Sequence, residues 1–440
     1  IKGVAQLSAV SSIKTPQNSA KTITATYQRP YHMHGSVGPS AAMAFYDDQE
    51  IKVWTHSQGV YPLRLALADV LDFEENRIHV VHVPGAGCYG HNGADDAALD
   101  AVLAARAFPG KPVLLKWERV DEHSWEPYGS AMQIELQANM DKSGKILYWN
   151  HETYSDTHLK RPSAHGKKSR LLASWHMQVP KQSPQVKPLT GYHTGIHRNA
   201  DPIYDFNDRR IVKHLVDNLP LRVSTLRSLG AYANVFAIES FMDELAHSCG
   251  RNPLEFRVDN LSDYRAKAVL EAAVEKANSR IISKGGGHGR GFALARYKNA
   301  KCYAAVAVDL LVDDYGSIKL LRAVIAADAG QVIDPDGLRS QLEGGLLQSA
   351  SWTLKEQVKF DEKGITSQDW ESYPIMTFAE VPEIETILID RKDRPVLGAG
   401  EATQGPTAAA ISNAVFDAVG LRLRRIPFTP EMVLEAAAEA

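Results

Sequence analysis

A single carboxylate stands out in the run Pro395-Val-Leu-Gly-Ala-Gly-Glu-Ala-Thr-Gln-Gly-Pro-Thr407. Glu401 follows Gly398 and Gly400 and precedes a helical pattern. Glycine carries no Cβ, so the backbone around Glu401 can pass close to a large ligand. An acid held on such a turn is how an enzyme positions a general base. The same placement also suits a carboxylate that merely faces the positive end of the next helix. A second glycine-rich run, Gly85-Ala-Gly-Cys-Tyr-Gly90, follows an apolar strand and matches G-x-G-x-x-G letter by letter. In a dinucleotide-binding fold that motif opens a helix directly beneath a pyrophosphate. Here the loop runs on through His91-Asn-Gly-Ala-Asp-Asp96 before an apolar helix begins. What remains is a turn at Gly87, Cys88 and Tyr89 whose backbone can press against an extended cofactor, or a purely structural turn. Gln58 ends a strand in Trp54-Thr-His-Ser-Gln-Gly59, and Gln341 sits in Ser340-Gln-Leu-Glu-Gly-Gly345. Arg227 precedes a long helix in Leu226-Arg-Ser-Leu-Gly-Ala-Tyr-Ala-Asn234. Each alone is an ordinary capping or surface residue. All three lie near glycine at the end of an element or on a glycine-bearing helix, where α/β proteins gather ligand-binding groups.

The elements that must position these residues read as mixed α/β. Ser40–Tyr46, Ile51–Thr55, Arg77–Val83 and Pro112–Trp117 have strand patterns, interleaved with helices over Pro62–Leu71 and Asp95–Phe108. Residues 1–26 read as an arm or an edge segment. Residues 156–208 are rich in Lys, His, Pro, Ser and Gly and read as a long surface excursion with solvated histidines. After it come a strand at Arg210–Val216 and an amphipathic helix at Asn234–Gly250. A second helix spans Ala266–Asn278, and Lys284–Arg290 has the composition of a flexible hinge. A hairpin follows around Asp313–Gly316, then helices at Gly337–Gln357 and Pro406–Val419, the last stopped by Gly420. The expected organisation is a first α/β subdomain over 1–155, the excursion over 156–208, a strand and helical continuation over 209–280, and a second α/β subdomain over 281–440. No internal sequence repeat is legible.

The chain has 440 residues and a net charge of −3, which gives no case for a nucleic-acid partner. No apolar run approaches the ~18 residues a membrane span needs. Cys88, Cys249 and Cys302 lie far apart and have no metal- or cluster-ligating spacing, so no redox centre on side chains is expected. Ile1 stands where an initiator methionine would, and no signal-peptide apolar stretch follows. That reads as a processed chain or a piece of a longer one. The compartment expected is the cytoplasm, or the periplasm or a membrane through a partner.

These motifs together resemble the molybdopterin-binding subunit of the xanthine dehydrogenase and aldehyde oxidase family, and within it the bacterial nicotinate and isoquinoline dehydrogenases. The likeness runs from about Tyr27 to Val433. It is carried by Met33–Ser40, Gln58-Gly59, Gly85–Asp96, Trp117-Glu-Arg119, Trp125–Tyr128, Arg227–Asn234, Glu239–Glu244, Asp328–Gly330, Gln341–Gly345, Thr353–Glu356 and Gly398–Glu401. It implies mixed sheets with packed helices around molybdenum held by a pterin dithiolene, usually in the cytosine dinucleotide form, with no protein side chain on the metal. It implies hydroxylation of an electron-poor carbon of an N-heteroaromatic ring or an aldehyde, with oxygen derived from water. Glu401 matches the family's catalytic base and Gln58 the residue that hydrogen-bonds the oxo ligand. Gly87, Cys88, Tyr89, Arg227, Gln341 and Gly400 match cofactor contacts. Cys88-Tyr89 replaces the family's usual phenylalanine, so the wall of the substrate pocket differs. The family's E-M-G-Q-G and T-G-G-S-like segments are absent from the chain. The resemblance therefore implies half of a molybdenum site, completed by missing N-terminal sequence or another chain. It also implies a ferredoxin-like [2Fe-2S] subunit and a cytochrome or flavin acceptor. The alternatives are a degenerate structural subunit of such a complex, or a nicotinamide-dependent dehydrogenase built on Gly85–Gly90.

Overall fold

The computed structural model describes residues 12–158, 160–281 and 285–439. Three four-stranded sheets carry the fold. The first contains β2 (Ala41–Tyr46), β3 (Ile51–Thr55), β4 (Ile78–His82) and β5 (Val113–Lys116), in the order β4-β3-β2-β5. The second contains β1 (Lys21–Arg29), β6 (Met132–Met140), β7 (Ile146–Ser155) and β8 (Arg209–Leu215), in the order β1-β6-β7-β8. The third contains β9 (His288–Arg296), β10 (Tyr303–Val312), β11 (Ile318–Asp328) and β12 (Glu383–Leu388), in the order β9-β10-β11-β12.

One chain path recurs in all three. A hairpin (β2-β3, β6-β7 or β10-β11) is followed by a crossover, and the next strand pairs parallel with the hairpin's second strand. Parallel neighbours need such a crossover, because a tight turn cannot join them. In the first and third sheets the crossover holds a helix, α1 (Val60–Leu71) and α7 (Pro335–Leu354). In the second it is the irregular segment 156–208. Each parallel strand then runs into a loop and a helix: α2 (Ala94–Arg106), α4 (Ala231–Ser248) or α8 (Gln404–Val419). The fourth strand completes each sheet antiparallel to the first hairpin strand; it precedes the hairpin for β1 and β9 but follows the helix for β5.

The helices form where apolar residues face these sheets. On α4, Phe236, Phe241, Met242 and Leu245 are fully buried, each worth roughly 1.5–3 kcal/mol of apolar burial. On α8, Ala408, Ile411, Ala414 and Val415 are buried, and Gly420 ends the helix with φ 75°. A Cβ on Gly291 of β9 would overlap the backbone of Ala414, so only glycine lets α8 lie this close.

Of the two readings of residues 1–26, the edge segment holds for Lys21–Arg29, an edge strand, while residues 1–11 lie outside the described residues. Other expectations need correction. Of the expected hinge, Lys284 lies outside them, and His288–Arg290 begins β9. The histidines of 156–208 are not all solvated: His158 and His193 are buried, because Asn234 of α4 donates to the carbonyls of Ile196 and Arg198 and ties the segment to the core. α8 begins at Gln404 rather than Pro406. The absence of a sequence repeat conceals a topology that occurs three times.

Candidate active site

The three loops that follow β4, β8 and β12 meet. Open α/β sheets bind ligands beyond the carboxyl ends of parallel strands, which is where these loops lie. The first loop is fastened to the second. Arg227 N–H donates to the Tyr89 carbonyl at 2.7 Å, and His91 N–H donates to Thr225 at 2.9 Å. A Cβ on Gly90 would collide with the Thr225 carbonyl, so glycine is required there. α2 opens at Ala94, well past the glycine run, and β2 and β5 are antiparallel to their neighbours. Both observations argue against a dinucleotide-binding unit at Gly85–Gly90.

Arg227 bridges the second loop to the third. Its Nε donates to the Gly400 carbonyl at 2.7 Å, and Nη2 reaches the Gln341 carbonyl at 3.1 Å and Oε1 at 3.3 Å. Nη1 donates to Gln348 Oε1 at 3.2 Å. Every one of these acceptors is neutral, so Arg227 braces the loop without a bonded counter-ion. Burial holds its guanidinium below the ordinary value, with the nearby Glu401 carboxylate opposing that shift. Gln404, at the start of α8 and fully buried, donates to the Glu401 carbonyl at 3.1 Å once its amide is oriented to suit its neighbours.

Glu401 Oε1 accepts from the Ser228 N–H at 2.7 Å and stands 3.8 Å from Arg198 Nη1. Its carboxylate therefore bonds the second loop rather than the free N–H groups of α8. Its side chain is 31 % exposed on this chain. Arg198 comes from the 156–208 crossover and donates to Tyr297 Oη at 2.5 Å. Burial, followed by the Glu401 carboxylate, pushes the Tyr297 phenol well above its ordinary range and keeps it protonated.

Backbone strain gathers in the same place. Nine described non-glycine residues have positive φ. All but Asp72 lie in the segments around this junction: Tyr89, His158, His193, Asn199, Ser228, Leu229, Lys298 and Asn299. Each such conformation costs on the order of 1–3 kcal/mol and persists where surrounding structure enforces it. Ser228, at φ 73°, turns its N–H to Glu401 and leaves its buried hydroxyl without a partner among the described residues.

The structure thus brings Glu401, Gly400, Arg227, Gln341 and Tyr89 into one connected set. Gly87 lies against the Tyr89 ring, while its carbonyl accepts from Ser36 Oγ, outside this set, at 2.6 Å. Cys88 turns away, its thiol donating to the His56 carbonyl at 2.9 Å, and burial pushes that thiol up to about 11. Gln58 is exposed and makes no contact with Glu401; its neighbour Gly59 packs on His91 of the first loop. Reasoning from sequence missed Ser228, Arg198, Tyr297 and Gln404. Gln404, three residues after Glu401, and Ser228, directly after Arg227, stood inside quoted motifs, though their residue types marked no role.

Two family models, each described as a molybdopterin cofactor-binding domain, match residues 12–178 and 243–382. A nicotinate dehydrogenase subunit of Pseudomonas putida is 37% identical over 435 residues, covering 95% of this chain and 35% of that protein. The beta subunit of isoquinoline 1-oxidoreductase from Brevundimonas diminuta is 24% identical over 400 residues, covering 89% and 48%. The chain thus spans about a third to a half of these relatives. Among solved structures, quinoline 2-oxidoreductase from Pseudomonas putida 86 superposes with a TM-score of 0.77 at 15% identity, covering 96% of this chain and 77% of that one. The aldehyde oxidoreductase of Desulfovibrio gigas gives 0.75 at 16%, covering 96% and 61%. At these identities the superpositions speak for the mixed α/β fold.

Proposed function

This chain belongs to the molybdopterin-binding subunits of the xanthine dehydrogenase and aldehyde oxidase family, and on that premise we propose that it forms one wall of a molybdenum hydroxylase site with Glu401 as general base. The observation that carries the reading is the Ser228–Glu401–Arg227 junction, where three loops hold one carboxylate at an open face.

The residues fit a pterin-bound metal. Among the described residues, no atom beyond the local backbone lies within 4 Å of where a Cβ would stand on Gly344 or Gly398, so these backbones offer flat approach. The unpartnered Ser228 hydroxyl and the exposed Gln341 and Gln58 amides supply polar groups for such a ligand. When bound, the molybdenum cofactor, in the cytosine dinucleotide form, supplies the two-electron oxidising centre. Glu401 Oε1 is held by the Ser228 N–H, and Oε2 takes the proton from the attacking water-derived oxygen. The Ser228 N–H and Arg198 hold the carboxylate in place from the second loop and from the 156–208 crossover. Arg227 fixes the loop's backbone, and Gln404 ties it to α8, so the base does not swing. Gln58 would hold the cofactor through its amide from the side of the first loop, and the backbone at Gly87–Tyr89 would form the neighbouring wall. The substrate is an N-heteroaromatic compound or an aldehyde. A further polypeptide segment closes the other side of the pterin, and a [2Fe-2S] subunit removes the electrons toward a cytochrome or flavin.

Metal and nucleotide analysis of the intact purified complex tests this reading. One molybdenum and one cytosine nucleotide per chain are expected. Their absence from a complex that retains all its partners would refute it.

A further inference from the structure

The runs Met33–Ser40 and Trp125–Tyr128 meet at the second loop, in a buried pair that the proposed mechanism leaves unused. The side chains of His34 and Glu126 are 0% and 1% exposed. Glu126 follows the helix Arg119–Trp125 and accepts from the His34 N–H through Oε1 at 2.8 Å. Its Oε2 stands 3.1 Å from His34 Nδ1. On the other edge of the ring, Nε2 lies 2.9 Å from the Thr225 carbonyl. Both ring nitrogens thus face oxygen acceptors. A neutral imidazole has one N–H and serves one of them, whereas the imidazolium serves both. Burial opposes that charge, but Glu126, then Thr225 and Glu122, more than offset it and raise His34 above its ordinary value of 6.5. The charged and titratable groups around the pair have other partners. Glu122 takes the N–H and hydroxyl of Ser40, and Arg119 lies against His123 and the Val37 carbonyl. Arg222 pairs with Asp96, His91 with Asp95, and Tyr373 donates to Glu356. Arg161 donates to Thr225 Oγ1.

The Thr225 carbonyl also accepts the His91 N–H at 2.9 Å, so both of its lone pairs are used. A few residues on, Arg227 ties the loop to Tyr89, and the Ser228 N–H reaches Glu401 at 2.7 Å. Whatever fixes the Thr225 peptide therefore helps to fix the donor that holds the base. We propose that His34 is a positioning residue for Glu401: its imidazolium clasps the Thr225 carbonyl and so sets the Ser228 N–H that holds the carboxylate. This rests on the reading of Glu401 as the base. When the proton leaves, the one remaining N–H goes to the carboxylate, the stronger acceptor, and Nε2 turns a lone pair to the Thr225 carbonyl. A raised histidine makes its contribution in full at low pH and loses it as pH rises through its folded value. The clasp is therefore closed at pH 6.5 and below, and opens above it.

The test uses the assembled complex carrying His34→Asn or His34→Gln. Asparagine places its amide where Nδ1 stood and drops Thr225; glutamine reaches as far as Nε2 and donates to Thr225 without a titrating charge. In His34→Asn the amides of 226–229 should exchange with deuterium about tenfold faster, the loss expected of one charge-assisted hydrogen bond. Its kcat should fall about tenfold, with KM within about twofold of the parent. His34→Gln should stay within about threefold of the parent in both exchange and kcat. In the parent, exchange of these amides should climb above pH 6.5 by more than the chemical rate predicts, and His34→Gln should remove that excess. Unmoved exchange in His34→Asn overturns the proposal whatever the rate does. So does a glutamine variant as loose as the asparagine one. A parent without the excess pH dependence, or a glutamine variant that keeps it, overturns the proposal too, and this comparison holds even if His34→Asn fails to assemble. If exchange quickens in His34→Asn and glutamine restores it, yet kcat stays parental in both, the clasp stands and the reading of Glu401 as the base fails.

Discussion

The loop after β4 and the loop after β12 hold equivalent places in their sheets and are built differently. In the first, a Cβ on Gly85 would strike His56 and one on Gly90 would strike the Thr225 carbonyl. The cysteine at its turn, Cys88, is kept a thiol by burial. In the third, Gly398 has open space where a Cβ would stand, Gly400 leaves 3.3 Å to Gln341 Oε1, and the loop ends on a charged carboxylate. The first loop is a neutral framework that fixes where Arg227 sits. The third presents chemistry on an open face. The same residue type thus serves close packing in one place and ligand approach in the other, and only the neighbours tell which.

That contrast can be broken by substitution. Gly90→Ala should be the most damaging change, since it combines a collision with backbone and a positive φ of 131°. A loss of about 3 kcal/mol or more is expected, read as a fall in Tm. Gly291→Ala, at the β9–α8 seam, should cost about 1–3 kcal/mol by overpacking, measured by denaturant unfolding. A pH effect comes next. Burial, with Glu126 close by, raises Glu122 of the first sheet's framework to about 7, against its hydrogen bonds from Ser40. A raised carboxyl contributes its stability in full below about 4.5 and loses it as pH rises through about 7. Unfolding free energy measured between pH 4.5 and 7 should therefore fall with a component that Glu122→Gln removes. Gly398→Ala should be the mildest, within about 0.5 kcal/mol of the parent in stability, yet it should reduce molybdenum loading of the complex. Equal damage from Gly90→Ala and Gly398→Ala would erase the distinction between framework and open face.

Much of this was legible before any coordinates. The helical pattern after Glu401 stood out because α8 carries a continuous apolar face and a glycine stop. Gly85–Gly90 could be separated from a dinucleotide motif because the helix begins too late. The crossover 156–208 was illegible for a physical reason. Its buried groups, including Arg198 and His158, are fixed by hydrogen bonds to distant elements, which leave no periodic trace in a polar, proline-rich stretch. The recurring topology was hidden likewise, since two crossovers are helical and one is irregular. Ser228 gave no signal because its role comes from a backbone N–H that any residue would carry.

The central claim is that Glu401 removes a proton during turnover. Its most direct test is Glu401→Gln in the intact complex, with molybdenum content and single-turnover rate measured on the same sample. Glutamine keeps the size and can still accept from the Ser228 N–H but cannot take a proton. The account predicts parental molybdenum content and a rate lower by on the order of 100- to 10,000-fold. A variant that keeps its metal and turns over at the parental rate would contradict it.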